Sequence, residues 1–316
     1  MEKRELGKTG IAVSPLMFGG NVFGWTVNEA ASFRLLDAFA DAGLNFIDTA
    51  DVYSRWVPGN TGGDSEMIIG KWFKQSGKRD KIVLATKVGK DMGDGKKGLS
   101  AKYIKQAAED SLKRLQTDYI DLYQSHDDDQ NTPFDETLSA YAELIKEGKV
   151  RIIGASNHKA DRLAEALQIA ASHNLPSYQT LQPEYNLYAR QDYETNLEPL
   201  CIERGLSVVP YYSLASGFLT GKYRSEADFG KSKRGQGIKK YLNDRGYRIL
   251  GALDKVADQY NAPQASVALA WLIARPGITA PIASATSIEQ LNDLVKATGL
   301  HLSEEATTLL NEASDY

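Results

Sequence analysis

Hydrophobic and polar positions along the chain alternate between two patterns. Short runs rich in β-branched and aliphatic residues give way again and again to longer stretches with apolar residues three and four apart. The short runs predict strands at Leu16–Phe18, Asn45–Asp48, Ile82–Lys87, Ile120–Gln124, Arg151–Ala155, Tyr178–Gln182, Ser207–Pro210 and Ile278–Ala283. The longer stretches predict helices at Glu29–Ala42, Asp64–Gln75, Ala101–Leu115, Phe134–Glu147, Ala160–His173, Tyr193–Arg204, Asp244–Tyr260 and Ile288–Thr298. The third shows the logic: Ile104, Ala107, Ala108, Leu112 and Leu115 share one face, and Ser100 stands before it as an N-cap. Eight strand–helix units in a chain of this size predict a (β/α)8 barrel, with a doubly wound open sheet as the competing topology. Three pieces are extra: an N-terminal hairpin of Arg4–Leu6 and Ile11–Val13, a helix at Pro263–Ala274 and a terminal helix at Ser303–Ala313. No linker divides residues 1–316, so one domain is expected.

Composition narrows the class. The 316 residues are 42% hydrophobic and 25% charged, an ordinary globular mixture. The longest nearly unbroken apolar run, Val267–Ala274, is too short to span a bilayer. Residues 1–10 lack an apolar stretch, and the single cysteine, Cys201, cannot form an internal disulfide; both favour the cytoplasm. A net charge of −4 gives no reason to expect nucleic acid. No histidine pair has zinc-type spacing, so no metal is expected.

In a β/α barrel, chemistry gathers at the carboxyl ends of the strands. The second predicted strand ends in Asp48 with Tyr53 in the following turn, the third ends in Lys87, and the fourth runs into His126. A phenol is a poor proton donor near neutrality unless its pKa falls, and a neighbouring ammonium favours the phenolate. A carboxylate keeps that ammonium charged, and an imidazole can hydrogen-bond a carbonyl oxygen. These four suit proton delivery to a carbonyl becoming an alkoxide. The hydride must then come from a nicotinamide cofactor. On the opposite half, Ser156, Asn157 and Gln182 suit a carboxamide edge, and Tyr211 suits stacking on a flat ring. The stretch Lys222–Lys240 carries seven basic residues and reads either as a solvated loop or as an anion-binding lid. Gly93–Gly98 matches G-x-G-x-x-G but neither leaves a strand nor opens a helix directly, so it reads as a loop.

Several segments together resemble the aldo-keto reductase superfamily over nearly the whole chain. They are Gly43–Tyr53, Ala85–Lys87, Asp121–His126, Gly154–Asn157, Gln182–Asn186 and Gly217–Tyr223. The resemblance implies a (β/α)8 barrel and NAD(P)H-dependent reduction of aldehydes and ketones. It implies Tyr53 as general acid, Lys87 and Asp48 as its partners, and His126 as the group orienting the carbonyl. Ser156, Asn157 and Gln182 would hold the carboxamide, with Tyr211 stacked on the ring. Leu214, Ser216 and Lys222 would run along the pyrophosphate, Tyr212 and Ser213 would also contact the cofactor, and Ser284, Thr286, Gln290 and Asp293 would bind the adenosine end. Relatives that grip a 2′-phosphate with Lys and Arg have Ser284 and Gln290 at the matching positions here, so Arg234 is the candidate replacement. NADP(H) is expected over NAD(H). Phe23, Trp25, Trp56 and Tyr185 are the candidate substrate pocket. The chain ends at Tyr316 without a long closing loop, which predicts an open pocket and broad acceptance of small or planar carbonyls. Other roles considered are a regulatory cofactor-binding subunit, as in channel β-subunits, an alcohol-oxidising dehydrogenase and a metal-dependent hydrolase.

Overall fold

The computed structural model describes residues 2–316. An N-terminal hairpin, β1 (Arg4–Glu5) and β2 (Ala12–Val13), precedes the first barrel strand, β3 (Met17–Gly19). Strands and helices then alternate: α1 (Glu29–Asp41), β4 (Phe46–Asp48), α2 (Asp64–Ser76), β5 (Val83–Val88), α3 (Ala101–Leu115), β6 (Ile120–Ser125) and α4 (Phe134–Lys146). They continue with β7 (Val150–Ser156), α5 (Ala160–Ser172), β8 (Thr180–Gln182), α6 (Glu198–Arg204), β9 (Ser207–Val208), α7 (Asp244–Tyr260), α8 (Gln264–Ile273), β10 (Ile282–Ala283), α9 (Ile288–Ala297) and α10 (Glu304–Ala313).

Eight parallel strands hydrogen-bond in the order β10-β3-β4-β5-β6-β7-β8-β9. A bridge between Val208 and Ile278, with the Ile282 amide donating to Pro210 O at 2.9 Å, joins the two ends. The expected (β/α)8 architecture is therefore present. β9 and β10 are shorter than predicted. Pro210 and Pro281 fall in those runs and have no N–H to give to a ladder.

Alternation of side chains across each strand builds two apolar layers. Met17, Phe46, Val83, Ala85, Leu122, Val209 and Ile282 fill the barrel, and Leu6, Ile11 and Val13 of the hairpin segment pack with them. Leu84, Val88, Tyr123 and Ile153 face outward onto the helices. Gly154 is required within the barrel, where a Cβ would collide with the Thr180 hydroxyl.

Ser100 and Ser303 cap α3 and α10, accepting from the amides of Tyr103 and Ala306. The predicted helix Tyr193–Arg204 opens with a π turn over Tyr193–Leu197. Pro199 has no N–H to donate, which prevents a regular α ladder from running through that point. The basic stretch is folded as short 3-10 turns at Glu226–Lys231 and Gly235–Tyr241, pinned by buried Phe229, Ile238 and Tyr241. Among the described residues, no helix is long and apolar enough to cross a membrane.

Candidate active site

The barrel mouth opens into a cavity of about 890 Å3. Asp48 closes β4, Lys87 lies near the end of β5, and His126 follows β6 directly; Tyr53 comes from the loop after β4. That loop is held by Ser54, whose backbone is left-handed (φ 68°) and whose hydroxyl donates to Phe23 O at 2.6 Å.

The four residues meet. Lys87 is fully buried and spends its ammonium on three oxygens: Asp48 Oδ1 at 2.6 Å, Thr49 O at 2.8 Å and Tyr53 Oη at 2.8 Å. The Tyr53 hydroxyl donates to Asp48 Oδ2 at 2.8 Å, and Gln182 Nε2 donates to Asp48 Oδ1 at 3.0 Å. The His126 ring stands edge-on to Tyr53, with centroids 6.0 Å apart. Thr49 was not foreseen, because it meets Lys87 through its backbone carbonyl, which any residue carries.

Charge in this cluster departs from the sequence expectation in one respect. The Tyr53 phenol is held well above its ordinary pKa, by burial first and then by the Asp48 carboxylate. Lys87 is at the same time in ion-pair contact with Asp48 at 2.6 Å. Burial pulls the Lys87 ammonium itself below its usual value, against Asp48, which holds it up. His126 is pushed well below the usual imidazole range by burial and by the Lys87 and Lys90 cations, so it is a neutral hydrogen-bonding group near neutrality. Its Nδ1 is buried and, among the described residues, has no partner.

The remaining sequence candidates divide. Ser156, Asn157, Gln182, Tyr211, Tyr212, Ser213, Leu214, Ser216, Lys222, Arg234, Ser284, Thr286, Gln290 and Asp293 all line the cavity. Many of their polar atoms bond to one another. Asn157 Nδ2 donates to His126 O at 2.9 Å, the Tyr211 hydroxyl donates to Asn157 Oδ1 at 2.9 Å, and Ser156 Oγ donates to Gln182 O at 2.9 Å. Ser284 Oγ lies 2.7 Å from Gly19 O, so its hydroxyl serves the neighbouring strand. Gln290 Oε1 accepts from the Thr286 amide at 2.9 Å.

Two pocket expectations are corrected. Phe23 is fully buried and stacks on Phe18 at 5.4 Å, because the turn after β3 folds it into the apolar layer. Tyr185 is also buried, between Tyr193 and Trp271, and its hydroxyl donates to Glu194 Oε1 at 2.7 Å. Trp56 does line the mouth, half-exposed, with Trp25 edge-on behind it at 5.7 Å. Arg234 lies over the Trp25 ring at 5.1 Å. Its Nη2 is buried and, among the described residues, without a partner. Sequence reasoning missed Asn21 and Thr26, which also line the cavity. They follow β3, the strand end that carries no titratable group, and titratable groups were the signal sought.

The family model described as the aldo/keto reductase family matches residues 15–315. The chain belongs to the aldo/keto reductase family. An uncharacterized oxidoreductase, YrpG, of Bacillus subtilis is 40% identical, over 99% of this chain and 95% of that protein. Aldo-keto reductase YhdN of the same organism is 34% identical, over 100% and 96%. A probable voltage-gated potassium channel subunit beta of Arabidopsis thaliana is 34% identical, over 94% and 91%. An oxidoreductase role with a nicotinamide cofactor follows from the family.

The residues present fit such a cofactor. The rim segment Tyr212–Gly217 holds three non-glycine residues in left-handed backbone, Tyr212 (φ 51°), Ala215 (φ 47°) and Ser216 (φ 58°). Backbone of that kind costs free energy and clusters where main-chain groups serve a ligand. The Thr26 hydroxyl, His126 Nδ1 and Arg234 Nη2 are buried polar atoms along the same cavity that, among the described residues, lack partners.

Proposed function

We propose that this aldo/keto reductase reduces aldehydes and ketones to alcohols, with Tyr53 as general acid, and takes NADPH in preference to NADH. The observation that carries the reading is the Tyr53 phenol at the cavity wall, hydrogen-bonded to both Lys87 and Asp48 and flanked by a neutral imidazole. A nicotinamide held along Ser156, Asn157, Gln182 and Tyr211 would supply hydride to the carbonyl carbon. The chain's own residues do the rest. His126, neutral, donates a hydrogen bond to the carbonyl oxygen and orients it. Tyr53 turns its hydroxyl proton from Asp48 to that oxygen as negative charge develops there. Lys87 stabilises the phenolate left behind, since its ammonium already touches Tyr53 Oη at 2.8 Å. Trp56 walls one side of the mouth, with Trp25 edge-on behind it.

A phenol held above its usual pKa keeps its proton at neutral pH, which is the protonation state that carbonyl reduction requires. Preference for NADPH rests on Arg234, a half-buried residue whose buried Nη2 has no partner among the described residues, in a loop that also presents Lys231 and Lys233 to the cavity. The small-molecule partner is a carbonyl compound with a flat or apolar body, suited to the Trp56 face. Titration with NADPH and NADH, followed by an aldehyde and ketone panel read at the nicotinamide absorbance, tests the reading. Carbonyl-dependent oxidation of NADPH is expected. Tight cofactor binding with no turnover across the panel would overturn it in favour of a regulatory binding role.

A further inference from the structure

The first turn of α2 carries two buried polar residues that the chemistry above does not use. Ser65 and Glu66 are both fully buried. The Thr49 hydroxyl donates to Ser65 Oγ at 2.8 Å, and Ser65 Oγ donates to Gly20 O at 2.8 Å. The Thr86 hydroxyl donates to Glu66 Oε1 at 2.5 Å. Thr49 is the residue after Asp48, and Thr86 is the residue before Lys87. Adjacent residues on a strand point to opposite faces. Lys87 reaches the barrel mouth, whereas Thr86 reaches the helix layer and meets α2 there. One helical turn thus fastens the outer sides of both segments whose neighbouring side chains form the Asp48–Lys87 pair.

A buried carboxylate needs compensation, and Glu66 has it. Arg114, from the last turn of α3, donates from Nε to Glu66 Oε2 at 2.6 Å and from Nη2 to Ser111 Oγ at 3.1 Å. The guanidinium reaches Glu66 across Gly63, where any Cβ would collide with it. Gly63 is also left-handed (φ 77°), and its amide donates to Asp51 O at 2.6 Å. The Asp51 amide in turn lies 3.3 Å from Lys87 O. The unit is therefore closed on its far side by an ion pair and on its near side by backbone.

We infer that Ser65 and Glu66, with Arg114 as counter-ion, are positioning residues for the proton-transfer group: they set the separation of Asp48 and Lys87 by holding Thr49 and Thr86 to one rigid helix turn. The inference rests on the proposed role of Tyr53, whose two hydrogen bonds depend on that separation. It predicts that slackening either peg impairs the chemical step and leaves binding alone.

Glu66→Gln strands Arg114 and threatens the fold, so the decisive variants are at Thr86. Thr86→Val removes one hydroxyl and keeps the shape, and Thr86→Ser returns the hydroxyl. With NADPH and p-nitrobenzaldehyde, Thr86→Val should lower kcat about tenfold, in keeping with sub-ångström misplacement of a reacting group. The NADPH Kd and the aldehyde KM should stay near wild type, and Thr86→Ser should restore kcat. Crystal structures of the two variants give a readout free of turnover. The Lys87–Tyr53 hydrogen bond should lengthen in Thr86→Val and recover in Thr86→Ser. Wild-type kcat in Thr86→Val, a Thr86→Ser variant as slow as Thr86→Val, or an unchanged Lys87–Tyr53 distance in Thr86→Val would each overturn the inference. A wild-type protein that reduces no carbonyl would defeat the proposed reaction instead, and the crystallographic comparison would still decide this point.

Discussion

Replacing Lys87 by methionine separates what the buried ion pair does for folding from what it does for chemistry. Lys87 is fully buried, and its ammonium makes contacts of 2.6 to 2.8 Å with Asp48, Thr49 and Tyr53. Methionine fills nearly the same volume but removes the cation. Asp48 is then left in the interior with only the Tyr53 hydroxyl and the Gln182 amide. Breaking one partner of a buried pair costs about 3–5 kcal/mol, because an uncompensated charge stays behind. Urea unfolding of Lys87→Met should show a loss of that size. Adding Asp48→Asn removes the stranded charge, and the double variant should return to within about 2 kcal/mol of wild type. Turnover should not return: both variants should stay at least ~100-fold slow, since proton transfer by a positioned group contributes that much or more. Two results would refute the reasoning. One is a Lys87→Met protein as stable as wild type, which would mean the pair is not compensating a desolvated charge. The other is a double variant with wild-type turnover, which would remove Lys87 and Asp48 from the chemistry.

Further outcomes are expected. Tyr53→Phe should lower reduction by at least ~100-fold while NADPH fluorescence titration gives a near-normal Kd; equal loss of binding would argue that the phenol is a cofactor contact. His126 is neutral through the physiological range, so the pH profile of kcat should show no break near pH ~6.5, where a free imidazole titrates. Asp51 is buried and its carboxyl is raised to about 8, chiefly by burial. Against about 3.9 in the unfolded chain, the folded protein holds that proton longer, so stability falls as pH rises from ~4 to ~8. Asp51→Asn should therefore raise Tm more at pH ~8.5 than at pH ~4, and an equal shift at both would contradict the assignment. Trp56→Ala should raise KM for planar aromatic aldehydes roughly three- to tenfold with kcat little changed, the pattern of lost uniform binding.

The order of strands and helices was legible in the sequence because it rests on local periodicity. Each amphipathic stripe and each capping serine acts over a few residues, and Ala101–Leu115 and Asp244–Tyr260 fall where the pattern put them. The meeting of Asp48, Tyr53, Lys87 and His126 was also legible. Successive strand ends in a parallel barrel are neighbours, and the resemblance to one family named the same four. Local pattern alone did not settle where an aromatic residue ends up. Phe23 and Tyr185 carry the same chemistry as Trp56, but packing drew them into the core and left Trp56 at the mouth. Nor did it settle the electrostatics. The sequence set a lysine beside a tyrosine, whereas the fold decided that burial and Asp48 would outweigh that lysine at the phenol. In the chain, Ser65, Glu66 and Arg114 read as ordinary polar residues of solvent-facing helix positions. Only packing α2 and α3 against β5 buries Ser65 and Glu66 and brings Arg114 to them, because desolvation and charge pairing depend on atoms far apart in sequence, and those atoms become neighbours only in the folded barrel.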